Sequence, residues 1–298
     1  MIENMDYSNK QMAGKTCMIT GATAGIGMHT AERLAEMGAR VIVVGRNPVK
    51  TVSTAMDIRE RTGNPDVDTL VADLSNQAQI RRLVGEFIAR YDRLDVLVNN
   101  AGGFFLWRQN SIDNIEMTFA LNHLNYFLLT NLLLDILQET ALKETEARVV
   151  NVSSAGHIGK RLDFDDLEMK RRYHPMQAYG RSKLANILFT KELSRRFADS
   201  GVTANALHPG WVATDIGKNN GLLVRSLLPL LQWNAMSPQE GARTSIYLAS
   251  NPVVKGVSGE YFVDCRVSEP DPAALDLKAA ERLWEISAEM TSLSRENL

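Results

Sequence analysis

Short, unbroken apolar runs constrain this chain more than any other feature. They are TCMIT (16–20), ARVIVVG (39–45), VDTLVAD (67–73), LDVLVNN (94–100) and ARVVNVSS (147–154). Continuous apolar character, rather than strict alternation, means that both faces of each strand are buried. Helical stretches separate them. One runs about 25–37 and stops at Gly38; a second is opened by Pro48 and ends near Gly63-Asn64-Pro65. A third reaches about Tyr91, and a long fourth is expected over about 112–139. A polar excursion (156–175) follows the fifth run. Then come a helix from about Gln177 to Ala198, a sixth strand VTANALHPG (202–210), a seventh EYFVD (260–264) and a C-terminal amphipathic helix, about 272–291. Strands alternating with helices predict an α/β fold: a doubly wound parallel sheet of about seven strands with helices on both faces. Residues 1–13 read as a polar tail and 14–298 as a single domain.

Composition excludes several classes. Of the 298 residues 45% are hydrophobic, enough for a large core, and the net charge of −2 gives no electrostatic case for nucleic acid or an anionic membrane. Cys17 and Cys265 form no CxxC pair, and the five histidines show no H-x-x-x-H spacing, so no metal site is expected. The N-terminal MIENMDYSNKQMAGK lacks the apolar region of a signal peptide. The richest apolar stretch, GLLVRSLLPLLQW (221–233), is too short to span a bilayer and contains Arg225 and Pro229. A cytoplasmic, reducing setting is the expectation.

TGATAGIG (20–27) joins the first strand to the first helix. Gly21, Gly25 and Gly27 let the backbone turn tightly and approach a pyrophosphate, which the helix N-terminus then binds. A well-packed turn with no ligand is the alternative; the strand–turn–helix setting favours a nucleotide. An NAD site needs an acid at the end of the second strand, but this chain has Gly45-Arg46-Asn47. A guanidinium there suits a 2′-phosphate, so NADP(H) is expected over NAD(H). Asp73 and Asn99-Asn100-Ala101-Gly102 stand at later strand ends, where ligands of open α/β sheets bind. AYGRSKLAN (178–186) places Tyr179 and Lys183 on one helix face, phenol beside ammonium. A cation near a phenol lowers its pKa from about 10 toward a usable acid/base range.

These pieces together resemble the short-chain dehydrogenase/reductase family. They are T-G-x-x-x-G-I-G, the Asp after strand three, N-N-A-G, an Asn on the next helix, V-N-V-S-S, Y-x-x-x-K and H-P-G-x-V-x-T, in family order over about residues 14 to 265. FALNHLNYFLLTNLLL, RVVNVSSAGH and HPGWVATD are similar to its retinol dehydrogenase-like branch. Two departures, Asn125 in place of a glycine and a polar N-terminus without an anchoring segment, bear on the substrate and not on the chemistry.

The resemblance implies a Rossmann-like fold and an enzyme interconverting carbonyl and alcohol. Tyr179 is then the proton donor or acceptor, and Lys183 lowers its pKa and binds the nicotinamide ribose. Ser154 hydrogen-bonds the substrate oxygen, with Ser153 as the competing serine, and Asn122 holds a relay water. Cofactor contacts are expected from Thr23, Ala24 and Ile26 in the glycine turn, Leu74 beside Asp73, and Pro209, Gly210, Val212 and Thr214 after strand six. His157 and His208 are read as non-catalytic. The apolar segments GGFFLWRQ (102–109) and 215–236, the second as a lid, suggest a small hydrophobic or aromatic substrate. For 221–233, core packing, an interface or membrane contact stay open alternatives. Pairing of two copies through the catalytic helices is a further implication. A C=C reductase of the same fold and a non-catalytic NADP(H) sensor are the competing functions.

Overall fold

The computed structural model describes residues 10–144, 146–212, 220 and 235–293. At its centre is an eight-stranded sheet in the order β3-β2-β1-β4-β5-β6-β7-β8. The strands are β1 Thr16–Thr20, β2 Arg40–Gly45, β3 Val67–Val71, β4 Val96–Asn99, β5 Ala147–Val152, β6 Val202–His208, β7 Tyr261–Val263 and β8 Arg266–Val267. Strands β1 to β7 are parallel, and β8 runs antiparallel to β7. The order reverses beside β1, between β2 on one side and β4 on the other. That switch point opens a crevice at the C-terminal strand ends.

The helices are α1 Gly25–Glu36, α2 Pro48–Thr62, α3 Gln77–Arg90, α4 Met117–Phe119, α5 Asn125–Leu132, α6 Leu134–Glu144, α7 Pro175–Arg196, α8 Pro238–Ser250 and α9 Leu277–Met290. They cover both faces of the sheet. Met18, Ile42, Val44 and Leu97 pack with Phe87, Phe127 and Phe189 in one layer. Their neighbours Cys17, Ile19, Val41 and Val43 pack with Ala31, Leu34 and Ile58 in the other. This is the two-sided burial that the continuous apolar runs demand.

Three elements differ from the sequence expectation. The long helix over 112–139 is three helices. Glu116 caps the first turn by accepting from the amides of Thr118 and Phe119, a wider π turn spans Ala120–Leu124, and the helix breaks again at Leu133. This stretch is apolar nearly all round, so its periodicity hides the interruptions. The short strand β8 is an addition. It follows a tight turn in which Asp264 and Cys265 both have positive φ, and Cys265 conceals the usual Asp-Gly signal. The C-terminal helix begins only at Leu277, after a 3-10 turn over Pro272–Leu275. It lies along α7, with Trp284 5.0 Å from Phe127 and 5.7 Å from Phe189 between ring centroids, and the Arg196 guanidinium 4.7 Å from the indole.

Candidate active site

The glycine turn after β1 works through close approach. Gly21 has φ +64°, and a Cβ there would lie 2.9 Å from Ala101 Cα. A Cβ on Gly27 would meet Asn100 Nδ2 at 2.4 Å and Gly21 O at 2.6 Å. Asn100 clamps the turn from the side, donating to Thr20 O at 2.8 Å. Thr20 Oγ1 in turn accepts from the amides of Asn100 and Ala101 at 2.9 and 3.0 Å. Helix α1 starts at Gly25 with no side-chain cap and no acidic residue in its first turn. Its positive end therefore faces the crevice uncompensated, which suits an anion.

A cavity of about 510 Å³ runs along this crevice. Most of the expected residues line it: Gly21, Thr23, Ala24, Gly25, Ile26, Arg46, Asp73, Leu74, Asn100, Ala101, Gly102, Tyr179, Lys183 and Pro209. Arg46 stands at the mouth, 74% exposed, with Nη1 3.9 Å from Asp73 Oδ2. Asp73 also accepts from the amide and hydroxyl of Ser75. Gly27 is buried beneath the turn. Gly210 and Val212 lie past β6, where Val212 pairs with Met236 and packs on Gly241 of α8. Thr214 and most of the expected lid, 215–236, lie outside the described residues. Asn220, which is described, accepts from the Leu106 amide and donates to Phe104 O, each at 2.7 Å.

At one end of the cavity, α7 meets the end of β5. Tyr179 and Lys183 stand one helical turn apart, with Lys183 Nζ 5.7 Å from the phenol ring centroid. Lys183 is only 3% exposed and donates to Val152 O at 2.9 Å. Burial lowers its pKa to about 7. Burial raises the Tyr179 pKa, and a hydrogen bond with the Ser154 side chain pulls it partly back. The expectation that the lysine charge lowers the phenol pKa is thus not met by the protein's own groups, because desolvation dominates both side chains.

The two serines separate cleanly. Ser153 borders the cavity but its buried Oγ donates to Lys183 O at 2.7 Å, whereas Ser154 Oγ accepts from the Gly156 amide at 3.1 Å and faces Tyr179. Asn122 sits in the π turn, fully buried. Its side chain accepts from Gly103 N at 2.7 Å and donates to Gly103 O and Ser182 Oγ, both at 3.0 Å. Its main-chain carbonyl accepts from Asn186 Nδ2 at 2.9 Å. A Cβ on Gly102 would lie 3.1 Å from Asn122 Oδ1 and 3.7 Å from Lys183 Nζ, so this glycine keeps the cavity floor open between them. Phe104 lays its ring edge against Tyr179 at 5.8 Å, and Phe105 and Leu121 line the adjoining wall.

Sequence reasoning missed two features. Lys50 lines the cavity beside Arg46, and its spacing four residues on, in the first turn of α2, was the available signal. The Val152 carbonyl that anchors Lys183 had no signal at all, since main-chain atoms carry none.

A doubly wound sheet, a glycine turn at its switch point and a half-buried tyrosine beside a buried lysine at the cavity end define a nicotinamide-dependent oxidoreductase. The model of the short chain dehydrogenase family matches residues 15–222, and the chain belongs to that family. It is 43% identical to human retinol dehydrogenase 14 over 95% of this chain and 88% of that one. It is 42% identical to mouse retinol dehydrogenase 12, over 97% and 90% respectively. Among solved structures it is similar to an uncharacterised protein from Mycobacterium paratuberculosis, with TM-score 0.74 and 32% identity over 94% of each chain. A Pseudomonas aeruginosa RhlG/NADP complex matches with TM-score 0.68 and 25% identity, covering 90% of this chain and 99% of that one. No helix among the described residues is long and apolar enough to cross a membrane.

Proposed function

We propose that this oxidoreductase uses NADP(H) to interconvert a carbonyl and an alcohol on a small hydrophobic or aromatic substrate. The observation that carries the reading is the placement of Tyr179 and Lys183 at the end of a cavity large enough for a bound cofactor, with the Ser154 side chain hydrogen-bonded to Tyr179. The uncapped start of α1 suits a pyrophosphate, and Gly21 and Gly27 allow the tight turn that leads into it by packing against Ala101, Asn100 and each other. Arg46 and Lys50 put two cations at the far end, which supports a 2′-phosphate. When bound, the nicotinamide exchanges the hydride.

The chain's own groups manage the proton. Burial keeps the Tyr179 phenol protonated at neutral pH, so it donates to a carbonyl oxygen in the reductive direction. Ser154 hydrogen-bonds the same oxygen. Lys183, with a pKa of about 7, passes a proton to the phenol after each turnover. Asn122 fixes the Gly102–Gly103 wall beside Lys183, and its carbonyl keeps a second lone pair for a relay to solvent. Phe104, Phe105 and Leu121 supply an apolar wall. Cys17 and Cys265 are buried, unpaired thiols, which supports a cytoplasmic setting.

The test is NADPH oxidation by the purified protein across a carbonyl panel, from small aldehydes through aromatic ketones and steroids to retinal, with NADH in parallel. Turnover with NADPH on apolar carbonyls is expected. NADPH binding without turnover on any carbonyl would overturn the assignment in favour of a sensor or an alkene reductase.

A further inference from the structure

Among the described residues, a buried titratable side chain that the proposed reaction does not use stands on the very turn that carries Ser154. His157 follows Ser154 by three residues, in the short turn Ala155–His157, and is fully buried. Its Nδ1 lies 2.7 Å from Ser154 O, and its Nε2 lies 3.1 Å from the amide nitrogen of Asp271. The partners fix the tautomer. An amide N–H only donates, so Nε2 accepts; a carbonyl only accepts, so Nδ1 carries the proton. We propose that His157, held as its Nδ1–H tautomer by the Asp271 amide, is the positioning residue of Ser154.

The turn that carries Ser154 has little slack. Ser154 Oγ accepts from Gly156 N, and a Cβ on Gly156 would stand 3.2 Å from Tyr179 Cε1. A Cβ on Gly180 would stand 2.5 Å from Gly156 O. The turn therefore rests directly on α7 beside Tyr179, and its seat sets the distance between the serine hydroxyl and the phenol. His157 grips that turn by the Ser154 carbonyl and ties it to the segment after β8. Asp271 is itself anchored there. Its carboxylate accepts from Gly159 N and Arg161 Nη1 at 2.8 Å and from Ala273 N at 2.9 Å. Residues 114 apart in sequence thus bracket the catalytic serine.

The surroundings keep the ring neutral. Asp271 favours the charged ring, Arg161 screens that carboxylate, and His208 on β6 faces the same space. The Tyr261 ring of β7 meets the imidazole edge at 5.1 Å. Burial outweighs the aspartate and holds the His157 pKa below the ordinary imidazole value. Protonation would set an Nε2–H against the Asp271 N–H and open the clip.

This inference rests on Ser154 as the group that binds the substrate oxygen, so the test has an arm independent of activity. Nitrogen NMR of the wild type is expected to show His157 protonated at Nδ1 and bare at Nε2 at neutral pH; the opposite tautomer overturns the proposal. The kinetic arm compares His157→Asn, whose amide N–H replaces Nδ1–H, with His157→Gln, whose amide oxygen replaces only Nε2. His157→Gln is expected to lower kcat by about tenfold to a hundredfold at unchanged NADPH affinity, the scale of a misplaced catalytic group. His157→Asn is expected to restore most of kcat and to lack the acid limb of the wild-type kcat profile. Equal losses in both variants, tracking their loss of thermal stability, would make His157 a mere packing residue and overturn the proposal. If the wild type reduces no carbonyl, the functional reading fails while the nitrogen spectrum still decides the clip.

Discussion

A Lys183→Met variant isolates the energetic consequence of the buried amine. Lys183 is 3% exposed, and burial lowers its pKa from 10.5 to about 7. Between those values the unfolded chain holds a proton that the folded chain has shed. Stability of the cofactor-free protein therefore rises with pH across this window and is lost as pH falls toward 7. Because the folded amine is still half protonated at pH 7, the gain from pH 7 to pH 9 is about 2 kcal/mol. Methionine fills a similar volume and does not titrate. It also leaves Val152 O with the longer 3.4 Å hydrogen bond from the Tyr126 hydroxyl in place of the amine, an offset of at most about 1 kcal/mol that does not vary with pH. Cysteines and the other tyrosines titrate alike in both proteins, so the difference between them reports Lys183. The assay is urea unfolding followed by tryptophan fluorescence at pH 7 and pH 9. A wild-type advantage that grows by about 2 kcal/mol over that interval is expected. Parallel stabilities at the two pH values would show that the amine stays charged when folded, and would refute the account of Lys183 as a neutral-pH proton carrier.

Other substitutions address separate parts of the site. Arg46→Asp is expected to weaken NADPH binding about tenfold or more, the worth of a charge-assisted hydrogen bond, and to leave NADH affinity unchanged or improved. Lys50→Ala is expected to do the same more weakly; unchanged cofactor preference in both would remove this end of the cavity from 2′-phosphate recognition. Gly27→Ala forces a Cβ to within 2.6 Å of the Gly21 carbonyl, so both cofactor affinity and stability should fall, the latter by about 1–3 kcal/mol. Trp284→Ala is expected to cost about 3–5 kcal/mol in denaturant unfolding, because this indole, 2% exposed, joins α9 to the Phe127 and Phe189 rings. Trp284→Phe should cost far less, since the indole N–H has no hydrogen-bond partner among the described residues.

What the sequence could and could not reveal follows from the range of the forces involved. Strands β1, β2, β4 and β5 were legible because two-sided burial writes itself as a largely apolar run, whereas β3, with Asp68 and Thr69 only half-buried, was legible from its place between two helices. The glycine turn was legible because Gly21 and Gly27 have backbone neighbours where a Cβ would go. The Tyr–Lys pair was legible because helical spacing is local. The π turn at Asn122 was not. It depends on Gly103 and Ser182, which are 19 and 60 residues away, pulling the side chain aside. The pKa directions were hidden for the same reason, since the groups that meet Lys183 and Tyr179 include Val152 of β5 and Phe104, far from α7 in sequence. The difference between Ser153 and Ser154 was equally hidden, since it lies in the Lys183 carbonyl, 30 residues on, that accepts from the Ser153 hydroxyl.

The most direct measurement of the central claim is the turnover and NADPH affinity of Tyr179→Phe, taken side by side with the wild type on the best carbonyl of the panel. The phenol oxygen is the only atom removed, so binding should stay within about twofold while kcat falls by about a hundredfold or more, the usual contribution of a positioned proton donor. Wild-type turnover in that variant would contradict the account, because the proton would then reach the substrate by another route.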